Sequence, residues 1–380
     1  VYLDHAATTP LRPEALEAML PHLRDHWGNP SGSHTLARQA RRALDDAREL
    51  VADSLGCRPG EVVFTGGGTE ADNQAVAGVL DAHGDGVAVC SAIEHHAVLH
   101  AVTHAGGTVV GVDARGVIDL DALEAALADA TDTGRTVRVV SVMLANNEVG
   151  TVQPLDAVAA VVAEHAPHAV VHTDAVHAAP WLDLAVAAAP AALVALSAHK
   201  FGGPKGVGVL VVRAGTRIAP LLHGGGQEHD RRSGTHNVAG IVGLAEALRA
   251  TVAERSATVA RVAALRDRLV GGLVAAVAGV RETVPAPCKT AGNAHVLIDG
   301  IENEALLFLL DRAGICASGG SACASGAMEP SHVLAAMGVE RTAAFGAVRF
   351  TLGTTTTDAD VDAALAVVPG AVAQLRRGAP

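Results

Sequence analysis

Lysine is almost absent from this chain: Lys200, Lys205 and Lys289 are the three among 28 basic residues. Two of them fall in one glycine-lined turn, "LSAHKFGGPKG" at 196–206. Lys200 directly follows an apolar run that reads as a buried strand. Burial penalises the ammonium form and leaves a neutral amine, the form that Schiff-base chemistry requires. Lys205, between Pro204 and Gly206, suits a structural or phosphate-side role better. A second feature is the glycine-rich "TGGGTEADN" at 65–73, set between an apolar run and an amphipathic one. It puts Gly68 and Thr69 at the start of a helix, with Thr69 expected as the N-cap, and a helix start suits a phosphate. The pattern is neither the Walker signature nor G-x-G-x-x-G, which weakens nucleotide readings. Asp174 closes the apolar "HAVVHTD" at 168–174.

Each feature has an ordinary reading by itself: a loop, a carboxylate capping the next turn, a solvated lysine. In combination they describe a pyridoxal phosphate site. The helix start takes the phosphate, the carboxylate partners the ring nitrogen, and the lysine holds the cofactor covalently.

The elements that must position these groups follow from periodicity. Apolar runs at 61–66, 86–91, 107–113, 136–144, 168–174, 191–198 and 206–213 read as strands. They alternate with helical stretches at 69–83, 94–106, 120–130 and 155–166. Such alternation predicts an α/β fold with a mostly parallel sheet covered on both faces. Ligands of such sheets bind beyond the carboxyl ends of the strands. "GGGTEADN", "IEHH", "ANNEVG", Asp174, His199 and Lys200 all fall there. A long helix over about 237–270 leads into strands and helices suggesting a smaller α+β domain. The expected division is a large domain at 12–250 and a small one from 1–11 and 251–380.

Composition narrows the class further. Hydrophobic residues make up 49% of 380 but aromatics only 2%, so the core is Ala, Val and Leu. A net charge of −12 argues against a broad nucleic-acid interface. Apolar runs are broken before membrane-spanning length, and no secretory signal pattern opens the sequence. Cys57, Cys90, Cys288, Cys316 and Cys323 form no C-x-x-C pair, and no H-E-x-x-H spacing appears among nineteen histidines. A resident metal, and with it a metal-dependent hydrolase, is therefore not expected. A cytoplasmic protein is the expectation.

The ordered motifs "YLDHAATTP", "GNPSGSH", "EVVFTGGGTEADN", "ANNEVGTVQP", "SAHKFGGPKGVG", "HGGGQEHDRRSGTHN", "SGGSACASGAMEPSHVL" and "VRFTLG" span essentially the whole chain. With them it resembles the cysteine desulfurases of the NifS/IscS type, fold-type I pyridoxal phosphate enzymes of the class V aminotransferase group. The resemblance implies that Lys200 carries the cofactor and that Gly68 and Thr69 hold its phosphate, with Ser197 and His199 adding contacts. It implies that His95 stacks on the ring and acts as an acid–base group, that Asp174 pairs with the ring nitrogen, and that Asn147 lies near the ring oxygen and the substrate. Arg349 would clamp the substrate carboxylate. Thr235 would reach the phosphate of the other subunit in a homodimer. Cys323, on a loop at about 317–332, would take sulfur from L-cysteine, leave L-alanine, and pass a persulfide to an acceptor such as a cluster scaffold. Cys323 is also the candidate for a transient iron–sulfur ligand. Another class V enzyme, an aminotransferase or selenocysteine lyase, is the alternative, although a transaminase needs no nucleophilic Cys. At the position where the family generally has Gln this chain has His177, expected to bond the ring oxygen and to add a titration near neutrality. Cys316 ends a helical pattern and is expected to pack in the small domain.

Overall fold

The computed structural model describes residues 1–319 and 331–378. Its larger sheet contains β1 (Val62–Thr65), β2 (Val87–Ser91), β3 (Thr108–Val110), β4 (Val137–Ser141), β5 (Val170–Asp174), β6 (Leu193–Ser197) and β7 (Gly208–Val212). The order across the sheet is β1-β7-β6-β5-β4-β2-β3. Strands from β6 to β3 are mutually parallel, whereas β7 runs antiparallel to both β6 and β1. The reversal has a simple cause: only ten residues, 198–207, separate β6 from β7. A parallel crossover needs a dozen or more residues, usually with a helix, so the chain turns back directly.

Residues β1, β2, β6 and β7 are buried along their whole length. Alternation divides them between two layers. Val62 and Phe64 of β1 face one core, while Val63 faces another built with Ala71, Ala75, Val76 and Val79 of the helix Gly68–His83. Small Ala side chains on that helix bring its backbone close to the sheet, which fixes where its first turn lies.

A second, antiparallel sheet holds β8 (Val280–Glu282), β9 (Asn293–Ile298) and β10 (Ala347–Thr351) in the order β10-β9-β8. The 39-residue helix Val238–Ala276 serves both halves. Ile241, Leu244 and Leu248 belong to the core of the large sheet, and Leu265, Leu269 and Leu273 to that of the small one. Between Thr251 and Val262 none of its residues is fully buried. The first residues of the chain lie along the small sheet, with Leu3 in its core and Asp4 bridged to Thr351.

Cys316 departs from expectation. Ile315 is buried, but Cys316 is exposed. A bridge to Tyr2 puts this stretch in extended conformation, where successive side chains point to opposite faces. Ile315 takes the inner one.

Candidate active site

The carboxyl ends of the parallel strands open on a cavity of about 460 Å³. Ten predicted residues line it: Gly68, Thr69, His95, Asn147, Asp174, His177, Ser197, His199, Lys200 and Arg349. Thr235 is exposed and lies outside this cavity. Cys323 falls outside the described residues.

Lys200 ends a short 3₁₀ turn, Ala198–Lys200, directly after β6. Its Nζ donates to the carbonyls of Ala6 (2.5 Å) and Ala7 (2.9 Å), so the N-terminal stretch fixes where the amine sits. His199 is anchored to the same stretch, with Nδ1 3.2 Å from Thr8 Oγ1 and its carbonyl accepting from Thr9 N. Burial, with Lys200 and Lys205 nearby, lowers the His199 pKa to about 4. Asp174 ends β5 and is 5% exposed. Its Oδ1 accepts from Val176 N at 2.8 Å. Burial raises its pKa, while His95, that N–H and Lys200 act in the opposite direction.

At the phosphate end the helix begins two residues earlier than a Thr69 cap would require. Gly67 is the N-cap with φ +149°, and Thr69 lies in the first turn with its side chain exposed. The reason is steric: a Cβ on Gly208 would come within 2.7 Å of the Gly67 carbonyl carbon, so β7 presses against this turn. Only glycine readily takes the Gly67 conformation. The helix start opens on an outer cleft also lined by Ser197 and Lys205.

His95 caps the helix His96–His104 by accepting Ala97 N–H at Nδ1, 3.1 Å away. The neutral ring therefore carries its proton on Nε2. Burial lowers its pKa, an effect opposed by Asp174. His177 is 7% exposed, and its Nε2 has no hydrogen-bond partner. Burial, then the charges of Lys200 and Arg349, push it to about 3. The expected titration near neutrality is thus corrected: this imidazole is neutral at pH 7 because it is enclosed beside two cations.

Arg349 sits in mid-β10 and is 2% exposed. Nη1 donates to the Asn147 carbonyl and Nη2 to Asp4 Oδ1, both at 2.9 Å, while Nε is unpartnered. The fork is thereby fixed against rotation with an N–H still available to a carboxylate. Replacing it with Lys removes both anchors and the fork. Loss of one charge-assisted hydrogen bond, about 1.5–3 kcal/mol, corresponds to a carboxylate ligand held roughly 10- to 100-fold more weakly and a KM raised to match. We expect steady-state kinetics of Arg349→Lys to show this with a smaller change in kcat.

Several site residues escaped sequence reading. Asp72 lines the cavity at 1% exposure, with Oδ1 unpartnered and 3.6 Å from His172 Nε2. Burial, Asp174 and Glu94 raise its pKa well above the usual carboxylate range. The available signal was an acidic residue beside Ala71, on the helix face that carries the buried Ala75, Val76 and Val79. Glu148 accepts from Ser331 Oγ at 2.5 Å, and Ser318 pairs through its backbone with Arg349. Both flanks of the segment 319–330 are therefore fixed to residues lining the cavity.

A helix start, a carboxylate and a strand-end lysine at one edge of this sheet define a fold-type I architecture. The family described as aminotransferase class-V matches residues 1–364, and the chain belongs to it. Cysteine desulfurases of this family depend on pyridoxal phosphate. The chain is 47% identical to the IscS-like cysteine desulfurase of Mycobacterium tuberculosis, with 100% of this chain and 98% of that protein aligned. It is 42% identical to the cysteine desulfurase IscS of Methanosarcina thermophila, over 100% and 94%. Among solved structures, a NifS-like protein superposes with a TM-score of 0.90 at 36% identity, covering 99% of this chain and 100% of that one. SspA in complex with cysteine gives 0.79 at 31%, over 94% and 99%.

Proposed function

We propose that this protein is a cysteine desulfurase of the NifS/IscS type: L-cysteine and an acceptor thiol give L-alanine and a persulfide. The carrying observation is the convergence of Lys200, Asp174, Arg349 and the Gly68 helix start on one cavity. Those residues fit pyridoxal phosphate. A helix start and Lys205 open on one cleft for its phosphate, and a buried carboxylate and a lysine amine lie further in. When bound, the cofactor supplies an electron sink for charge developing at the substrate Cα.

The chain's own residues supply the rest. Arg349 binds and orients the substrate carboxylate through its fixed fork. Lys200, held by the Ala6 and Ala7 carbonyls, is placed to take the Cα proton. His95 keeps a proton on Nε2 facing the reaction. The Cys323 thiolate attacks the substrate sulfur: an S–S bond forms, the Cβ–S bond breaks, and its electron pair stays with the carbon that becomes the alanine methyl. The anchoring of Ser318 and Ser331 at the cavity supports this role, because both flanks of the segment carrying Cys323 begin there. The test is product analysis with L-cysteine and a thiol reductant. Equimolar alanine and sulfide are expected; a 2-oxo-acid-dependent transamination without sulfide overturns the reading.

We also propose a homodimer with shared sites, and a division into units 12–250 and 1–11 with 251–380. Thr235 supports the first. Its loop is tied beside the phosphate helix by Arg232 to Glu70 (2.8 Å) and Gln74 to the Arg231 carbonyl, yet Thr235 is exposed and does not line its own cavity. Mixed dimers of Thr235→Ala and Lys200→Ala chains are expected to recover about half the natural activity, one site carrying both lesions and the other neither. Activity no greater than that of the parents counts against sharing. No helix among the described residues is long and apolar enough to cross a membrane, which accords with the cytoplasmic placement we propose. The sulfur acceptor is a thiol-bearing protein.

A further inference from the structure

A second, smaller cavity lies behind Lys200, where the middle of the long helix passes between the two cores. It is about 30 Å³ and meets the active cavity at Ala6, His177 and Lys200, which line both. That is room for one or two water-sized spheres. Its charge is one-sided. Arg12, Lys200, Arg255, His5 and His177 line it, and among the described residues no carboxylate does. The active cavity, by contrast, contains Asp72, Glu148 and Asp174.

The cations differ in how they are satisfied. Arg12 pairs with Glu254 at 2.9 Å and also donates to the Phe201 carbonyl. Lys200 has the carbonyls of Ala6 and Ala7. Arg255 has no comparable partner. Its side chain is 12% exposed, and Asp183 lies 3.7 Å from Nη1 with its own side chain 61% exposed. Nε and Nη2 are buried without any hydrogen-bond partner. His5, 5% exposed, has both ring nitrogens unpartnered, and His177 Nε2 is unpartnered too. Burial holds both imidazoles neutral, at about 4 and about 3, so each offers one N–H.

A guanidinium does not shed its proton in proteins, and a buried charge with open donors is costly unless something accepts them. Water would accept the hydrogen bonds but add no charge to the long pair with the exposed Asp183. We propose that this cavity binds one monovalent anion of halide size, with Arg255 as its principal ligand and His5 and His177 as N–H donors. The anion then lies beside Lys200, which lines both cavities. There its charge offsets cations that no carboxylate among the described residues of this cavity balances.

Crystals of the natural holoenzyme grown in bromide test the site directly. An anomalous difference peak between Arg255 and His5 is expected. Water density without anomalous signal in that cavity, or bromide confined to the surface, overturns the proposal. In solution, replacing gluconate by chloride at constant ionic strength is expected to raise Tm by roughly 2 °C or more. Arg255→Gln, which keeps a donor but removes the charge, is expected to lose that dependence. Equal Tm in both salts for the natural protein also overturns it, and this measurement stands whether or not the variant folds.

Discussion

Lys200→Ala is expected to purify colourless, while Lys205→Ala stays yellow. The two residues are five apart but differ in every physical respect. Lys200 follows a fully buried strand, lies in the inner cavity and donates to two backbone carbonyls that fix its amine. Lys205 is exposed in the outer cleft. Under the proposed function, truncating Lys200 removes the attachment point and the group placed to move the Cα proton. Turnover should fall by about 10³-fold or more, within the range of lost acid–base and covalent contributions. Lys205→Ala should weaken phosphate binding only. Absorption spectra of both proteins decide the matter: retained colour after dialysis of the Lys200 variant overturns the assignment.

Cys323→Ser is expected to bind cofactor and cysteine normally yet release almost no sulfide, a loss of at least about 10³-fold. Cys316→Ser is expected to keep most of its turnover. Burial cannot mark Cys316 as the inert thiol, since it is exposed. Position can. The Cys316 amide donates to the Val1 carbonyl and its own carbonyl accepts from Leu3, so its backbone is fixed on both sides, and it does not line the cavity. Cys323 is only four residues beyond Gly319, a span of at most about 14 Å for an extended chain. Alkylating reagents would mark Cys316 whatever its role, so the informative measurement is peptide mapping of labelled sulfur after a single turnover. Sulfur on Cys316 overturns the assignment.

The strand–helix alternation, and with it the sheet edge where the site lies, was readable because apolar runs of Val and Ala leave little ambiguity. Lys200, Asp174 and Arg349 were each found in the cavity that the resemblance implied. What sequence did not carry was pairing across distance. Asp4 and Arg349 are 345 residues apart, and nothing local marks Asp4 as the residue that orients the guanidinium. Glu148 and Ser331 are likewise 183 apart. Burial of polar groups was equally hidden. His177 reads as a titrating imidazole until the surrounding enclosure is seen, and Thr69 reads as a cap until β7 is found pressing on Gly67. Strand β8 was missed for a different reason. It has three residues with only Val280 buried, too short for any periodicity to register.

The helix Val238–Ala276 also bears on how the molecule comes apart. At 39 residues it is about 58 Å long, and each end is embedded in a different hydrophobic core. Melting either core strips one end of its packing, and a helix of this composition has little stability without such packing. Loss of one half therefore propagates to the other, and the two cores form one cooperative unit despite having separate sheets. Calorimetry should record a single heat-absorption peak. A proline at Ala257, in the middle of the exposed stretch, would interrupt the continuous hydrogen-bond ladder. The peak would then split in two.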